Sequence, residues 1–197
     1  MPSCFGDSLE RMTDSKKSAL VMLAQGAEEM ETTIIVDVLR RAKVEVTLAG
    51  IDGVNAVTCS RGLRILPDAA LDAVEGDFDV VVMPGGAEGA ERLAGSELVG
   101  EVLRRQWDAG RLVAAICAAP TALARHEIAL GSKITNHPSV SDQLKGRYQL
   151  SSEPVVVTGQ LVTSQGPGTS FAFALTLVEK LHGAEVARSV REPMMLR

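Results

Sequence analysis

Apolar and polar positions alternate along this chain in blocks that repeat one unit. Ser18 to Ala24 (SALVMLA) is an apolar run of strand length, and Val44 to Ala49 (VEVTLA) alternates like a second strand. The stretch between them, Glu28 to Ala42, reads as a helix. Glu28, Glu29 and Glu31 complement its positive N-terminal end, and Arg40 and Arg41 complement the other. Strand, helix, strand in that order predicts a parallel sheet. The pattern recurs with a strand at Val80 to Met83, a turn at Pro84-Gly85-Gly86, and a helix capped by Ser96 that runs through Trp107 to Ala109 before Gly110. Leu112 to Ile116 is apolar throughout, as a central parallel strand should be, and Ala119 to Arg125 follows as a helix with Pro120 in its first turn. Lys133 to Thr135 is a short strand. Val155 to Val157 and Leu161 to Ser164 flank Gly159-Gln160, which predicts a hairpin and hence an antiparallel addition to the sheet. Gly166-Pro167-Gly168 turns the chain into a last helix, Thr169 to Leu181, ending near Gly183. With no internal repeat or linker, residues 17–197 form one expected domain.

Composition narrows the function classes. The 197 residues are 46% hydrophobic and only 3% aromatic, which suits one α/β domain with an aliphatic core. A net charge of -5 argues against broad nucleic-acid binding, and the basic pairs Lys16-Lys17, Arg40-Arg41 and Arg104-Arg105 read as solvated ends of elements. No apolar run reaches the ~18 residues that span a bilayer, so a soluble protein without a membrane span is expected. The opening MPSCFGDSLERMTDS lacks the apolar core of a secretory signal, and Asp7, Glu10 and Asp14 speak against a mitochondrial transit segment. Residues 1–16 are expected to be a disordered extension. Three cysteines, Cys4, Cys59 and Cys117, are an odd number without metal-ligand spacing, so neither a disulfide framework nor a zinc site is expected. Reduced thiols in the cytoplasm fit, with nucleus or mitochondrion as further compartments.

One cysteine stands where chemistry is done. An apolar strand ending in Cys117 and followed directly by a helix has the form of a nucleophile elbow. Helix N-termini can lower a thiol pKa from about 8.5 to roughly 3.5–7.5, which predicts a nucleophilic, easily oxidised thiolate; the competing reading is a buried, inert core cysteine. Gly85-Gly86 after another strand could present backbone N–H groups to an oxyanion, or could be a plain turn. Glu31 lies one turn into the first helix, as a helix-end carboxylate or as a proton-exchanging group turned toward Cys117. His137 falls at a strand terminus, where it is either structural or an acid/base.

The strings GAEEMET, VVMPGGAEGA, AAICAAPTALA, KITNHPS and TSQGPGTSFAFAL stand in the order and spacing of the DJ-1 branch of the DJ-1/PfpI superfamily, and the chain resembles that family from Lys17 to Leu196. The resemblance implies a flavodoxin-like three-layer α/β/α sandwich with a mostly parallel sheet, an antiparallel hairpin and a nucleophile elbow. It implies a homodimer in which Cys117 is the reactive cysteine, Glu31 and His137 its partners, and Gly85, Gly86 and Ala118 supply backbone stabilisation. Arg61 is a candidate contribution across the subunit interface, and Ile34, Ile35 and Val38 on the first helix are candidates for packing across a two-fold axis. The implied activity is that of a glutathione-independent glyoxalase or deglycase acting on 2-oxoaldehydes or glycated adducts, with no metal or organic cofactor. The alternative is a redox-sensing chaperone that binds client proteins. Ala118 directly after Cys117, and Pro138-Ser139 after His137, disfavour the peptidase and amidotransferase relatives. Three features depart from or lie outside the pattern. Gln165 replaces an arginine, which weakens anion attraction. Leu66 stands in place of a second redox cysteine, leaving Cys59 a structural or interface role. His126 and His182 lie on helical stretches and read as surface or packing residues.

Overall fold

The computed structural model describes residues 16–196, so Cys4 and nearly all of the expected N-terminal extension lie outside the described residues. In chain order the elements are β1 (Ser18–Leu23), α1 (Glu29–Arg41), β2 (Glu45–Gly50), β3 (Val57–Thr58), β4 (Arg64–Ile65), β5 (Ala69–Ala70), β6 (Val80–Met83), α2 (Ala87–Gly95) and α3 (Glu97–Asp108). They continue with β7 (Leu112–Ile116), α4 (Pro120–Arg125), β8 (Lys133–Ile134), α5 (Ser141–Leu144), β9 (Gln149–Leu150), β10 (Val155–Thr158), β11 (Leu161–Ser164), α6 (Ser170–His182) and α7 (Ala184–Arg191).

The main sheet has the order β10-β11-β7-β6-β1-β2-β5. Every pair in it is parallel except β10 with β11, where Thr158 faces Leu161 across the expected hairpin. The strands are buried because they carry the chain's most apolar runs: Ala19, Val21, Met22, Val80, Val82 and Val113 to Ile116 are fully enclosed. Helices cover both faces, α1 against α6 on one and α2 against α4 on the other. The fold is therefore the three-layer α/β/α sandwich that the sequence predicts. Among the described residues, no helix is long and apolar enough to cross a membrane.

Several boundaries differ from the sequence reading. Glu28 is the N-cap of α1 rather than its first residue, because its carboxylate accepts the Glu31 amide proton at 2.8 Å. Ser96 caps α3 as expected, with Oγ accepting from Val99 N at 3.3 Å, but it also ends an unexpected helix, α2. Beyond Gly183 the chain forms α7, which buries only Ala187 and Val190. The first-helix argument for a dimer face is corrected as well. Ile35 and Val38 are fully buried in the chain's own core, leaving half-buried Ile34 beside exposed Met30 and Leu63 as the apolar patch on that side.

The chain lays β2 on one side of β1 and returns to lay β6 on the other, so the β1/β6 boundary is a topological switch point. In open α/β sheets the crevice beyond the carboxyl ends of such strands is where ligands bind. The loops leaving β1, β6 and β7 meet there.

Candidate active site

Three strand ends deliver Glu31, Gly85 and Cys117 to one point. Cys117 follows β7 with φ of 64°, a left-handed conformation that costs a non-glycine residue roughly 1–3 kcal/mol and marks a true elbow. Neighbouring loops hold it in place: Cys117 N donates to Ser164 O at 3.0 Å, and Cys117 O accepts from His137 N at 2.8 Å.

Glu31 enters from the first turn of α1 with no exposed surface. Its Oε2 accepts the Gly85 amide proton at 2.7 Å, while Oε1 is buried with no hydrogen-bond partner among the described residues. Position 85 has to be glycine because a Cβ there would lie 2.5 Å from Cys117 Cβ and 2.8 Å from Glu31 Oε2. The missing side chain is the space in which acid and thiol approach. Gly86 is constrained differently: its φ is 89°, and a Cβ would stand 2.2 Å from the Gly26 carbonyl. These contacts divide the glycine pair. Gly85 spends its N–H on Glu31 and is not available as an oxyanion donor, a correction to the sequence reading, whereas the backbone amides of Gly86 and Ala118 are the groups that favour a charged Cys117 sulfur.

The electrostatics overturn one expectation. The elbow position predicts an acidic thiol, yet burial first, and then the Glu31 charge, push Cys117 up to about 12 against the pull of the Gly86 and Ala118 amides. The helix that follows, α4, starts at Pro120 and ends at Arg125, too short to reverse that balance. Burial likewise raises Glu31 to about 7, opposed by the Gly85 amide and the neighbouring Cys117 thiol and assisted by the charge of Glu28. Both groups rise for a common reason: in a dry site a second negative charge is opposed by the first. At neutral pH the pair therefore carries one negative charge at most. Passing the Cys117 proton to the Glu31 carboxylate would remove the charge that opposes a thiolate.

Above the sulfur lies a cavity of about 440 Å³ whose lining includes Glu28, Arg61, Gly86, Glu88, Cys117, Ala118, His137 and Ser139. His137 is half-buried, and its Nδ1 lies 2.8 Å from Ser139 Oγ and accepts from Ser139 N at 3.3 Å. Arg61, expected to arrive from a second subunit, lines its own chain's cavity. Its backbone N donates to Glu29 Oε1 at 2.8 Å, and Glu29 Oε2 accepts from Ser60 Oγ at 2.9 Å. Glu28, Ser60, Glu88 and Ser139 were not singled out as cavity residues from sequence. Glu28, Glu88 and Ser139 lie in the strings GAEEMET, VVMPGGAEGA and KITNHPS, a local signal that could have drawn attention to them, whereas Ser60 lies in none. A larger cleft, about 540 Å³ between α6 and α7, contains neither cysteine nor histidine.

The remaining residues fall outside this constellation. Cys59 is buried, and burial followed by the charges of Glu29 and Glu28 raises its thiol to about 11. Leu66 is exposed, and Gln165 donates from Nε2 to Ser152 O at 3.0 Å, serving as a loop tether. His126 donates from Nε2 to the Leu93 carbonyl at 3.0 Å, which makes it a packing residue.

The description "DJ-1/PfpI family" belongs to the family model that matches residues 17–180. The Parkinson disease protein 7 homolog of Danio rerio is 51% identical over 185 residues, covering 92% of this chain and 98% of its own. The glutathione-independent glyoxalase DJR-1.2 of Caenorhabditis elegans is 40% identical over 185 residues, with the same two coverages of 92% and 98%. Among solved structures, Drosophila melanogaster DJ-1beta superposes with a TM-score of 0.91 at 49% identity, covering 92% of this chain and 99% of that one.

Proposed function

The chain belongs to the DJ-1/PfpI family, and on that premise we propose that it is a glutathione-independent glyoxalase with deglycase-type activity, converting methylglyoxal or glyoxal to 2-hydroxy acids. The observation that carries this reading is the fully buried carboxyl of Glu31, one oxygen bonded to Gly85 and the other without a partner, beside the Cys117 thiol.

In the reaction Glu31 takes the thiol proton as Sγ bonds to the aldehyde carbon, and the new oxyanion lies closest to the Gly86 and Ala118 amides. Protonating that oxygen gives a hemithioacetal. Removal of the proton from its carbon and return of a proton to the adjacent carbon, through an enediol, turns it into the thioester of a 2-hydroxy acid. Glu31 and His137 are the groups placed to move these protons. Water then cleaves the thioester and restores the thiol; methylglyoxal plus water becomes lactate, with no external oxidant or reductant. A cavity of about 440 Å³ is far larger than a three-carbon dicarbonyl, which supports glycated adducts as further substrates.

A second reading, redox sensing, is favoured by the same two amides: peroxide oxidation of Cys117 would place sulfinate oxygens among N–H donors with protonated Glu31 alongside. The homodimer belongs to this proposal and is supported by the exposed Met30 and Leu63 beside Ile34; sedimentation at micromolar concentration should show a dimer. The deciding experiment follows methylglyoxal conversion to lactate with the wild type and Cys117→Ala, in buffer free of amines and added thiols. Lactate from the wild type alone supports the enzyme. Equal conversion by both proteins sinks it.

A further inference from the structure

His137 is held by more than its place in the chain. Its backbone N–H is fixed to the Cys117 carbonyl at 2.8 Å, so the ring is anchored to the elbow itself. Pro138 follows and restricts the turn, bringing both polar groups of Ser139 back onto one ring nitrogen: the amide N at 3.3 Å from Nδ1 and Oγ at 2.8 Å. An amide N–H can only donate. Nδ1 therefore accepts, carries no proton, and receives the Ser139 hydroxyl proton as well. In a neutral imidazole that leaves the single ring proton on Nε2.

The geometry points to Ser139 as a positioning residue that sets the tautomer of His137. This rests on the glyoxalase-type reading above and deepens it by separating the two proton-transfer groups. With its proton on Nε2, neutral His137 meets the substrate first as a hydrogen-bond donor and acid, while the ionised Glu31 beside the thiol is the base. Ser139 lines the same cavity as Cys117 and His137, and its hydroxyl reaches the His137 ring there at 2.8 Å. Its hydroxyl adds the shorter of the two contacts to Nδ1, and its loss leaves only the 3.3 Å amide contact to hold the tautomer.

Long-range proton–nitrogen NMR on protein labelled with ¹⁵N-histidine reads the tautomer directly. The chain has three histidines, and His137→Gln assigns the signal. The wild type should show an unprotonated Nδ1 and a protonated Nε2. Ser139→Ala should populate the Nδ1–H tautomer and lower kcat for methylglyoxal about fivefold, the scale of one lost hydrogen bond, with KM unchanged; Ser139→Thr should restore both. A protonated Nδ1 in the wild type overturns the inference, as does a Ser139→Ala protein with the wild-type tautomer, whatever its rate. If the tautomer shifts as described while the wild type makes no lactate, the positioning role stands and the glyoxalase reading fails.

Discussion

Cys117 and Cys59 are both buried, both free, and both pushed above the ordinary thiol range by burial and a nearby glutamate. By accessibility and pKa alone they would be twins. They differ in what stands around the sulfur. Cys117 has the Gly86 and Ala118 amides pulling its thiol down, the Glu31 charge opposing them, and a cavity that it helps to line. Cys59 sits in a hairpin, where its N–H and carbonyl tie off the turn against Leu63 and Gly62, and nothing lowers its thiol. On the proposed mechanism, the two thiols are told apart by a proton acceptor and amide donors beside one of them, not by the upward shift that both share.

The largest test of that contrast exchanges each cysteine for alanine. Cys117→Ala should abolish dicarbonyl turnover, whereas Cys59→Ala should keep it and lose about 1 kcal/mol of stability to the small void left behind; denaturant titration and lactate assays read both. Glu31→Gln comes next. Its carbonyl can still accept from Gly85, so the fold should hold while turnover falls roughly 100-fold or more, the scale of a lost general base. Unchanged turnover in this variant would reduce Glu31 to a helix-end carboxylate and erase the difference between the two thiols.

The pH dependence sharpens the same point at about tenfold per unit. Turnover needs Glu31 ionised, so the rate should climb as pH rises toward about 7 and level off above it, and Glu31→Gln should lack that limb. Stability runs the opposite way. Glu31 has its folded pKa raised from 4.5 to about 7, so the folded chain holds that proton more tightly than the unfolded chain. The stabilisation is complete below about 4.5 and is lost as pH rises through about 7. Thermal melts of Glu31→Gln should accordingly gain on the wild type across that window. The smallest effect is a preference in rate: under mild peroxide, mass spectrometry should find oxygen on Cys117 before Cys59, and the reverse order would break the comparison.

Sequence made the parallel strands, the β10–β11 hairpin and the elbow legible because each is written in local apolar runs and turn residues. It also brought out Cys117, Glu31 and His137, which sit at strand ends or just past them. It was blind where the deciding fact is long-range. The first turn of α1 reads as a row of helix-end acids, and nothing local marks Glu31 as the one that is fully enclosed. The acid thiol was expected because an elbow is visible in sequence and its desolvation is not. Helix α2 escaped because the residues it buries are Gly89, Ala90 and Leu93, too small a stripe to stand out, and α7 because it buries only Ala187 and Val190. Arg61 is carried to the cavity by Glu29, thirty-odd positions away in the chain, through contacts no local pattern records.

The shared single charge of Glu31 and Cys117 also sets terms for covalent-probe chemistry. A warhead that arrives as an anion asks this crevice to hold a second negative charge, and Glu28 and Glu88 on its wall compound the penalty. An uncharged electrophile asks for no second charge, since as its sulfur–carbon bond forms the proton stays on Glu31 and the pair's single negative charge passes to the adduct or departs with the leaving group. Selective labelling of this cysteine is thus a question of formal charge on the reagent before it is one of size or intrinsic reactivity.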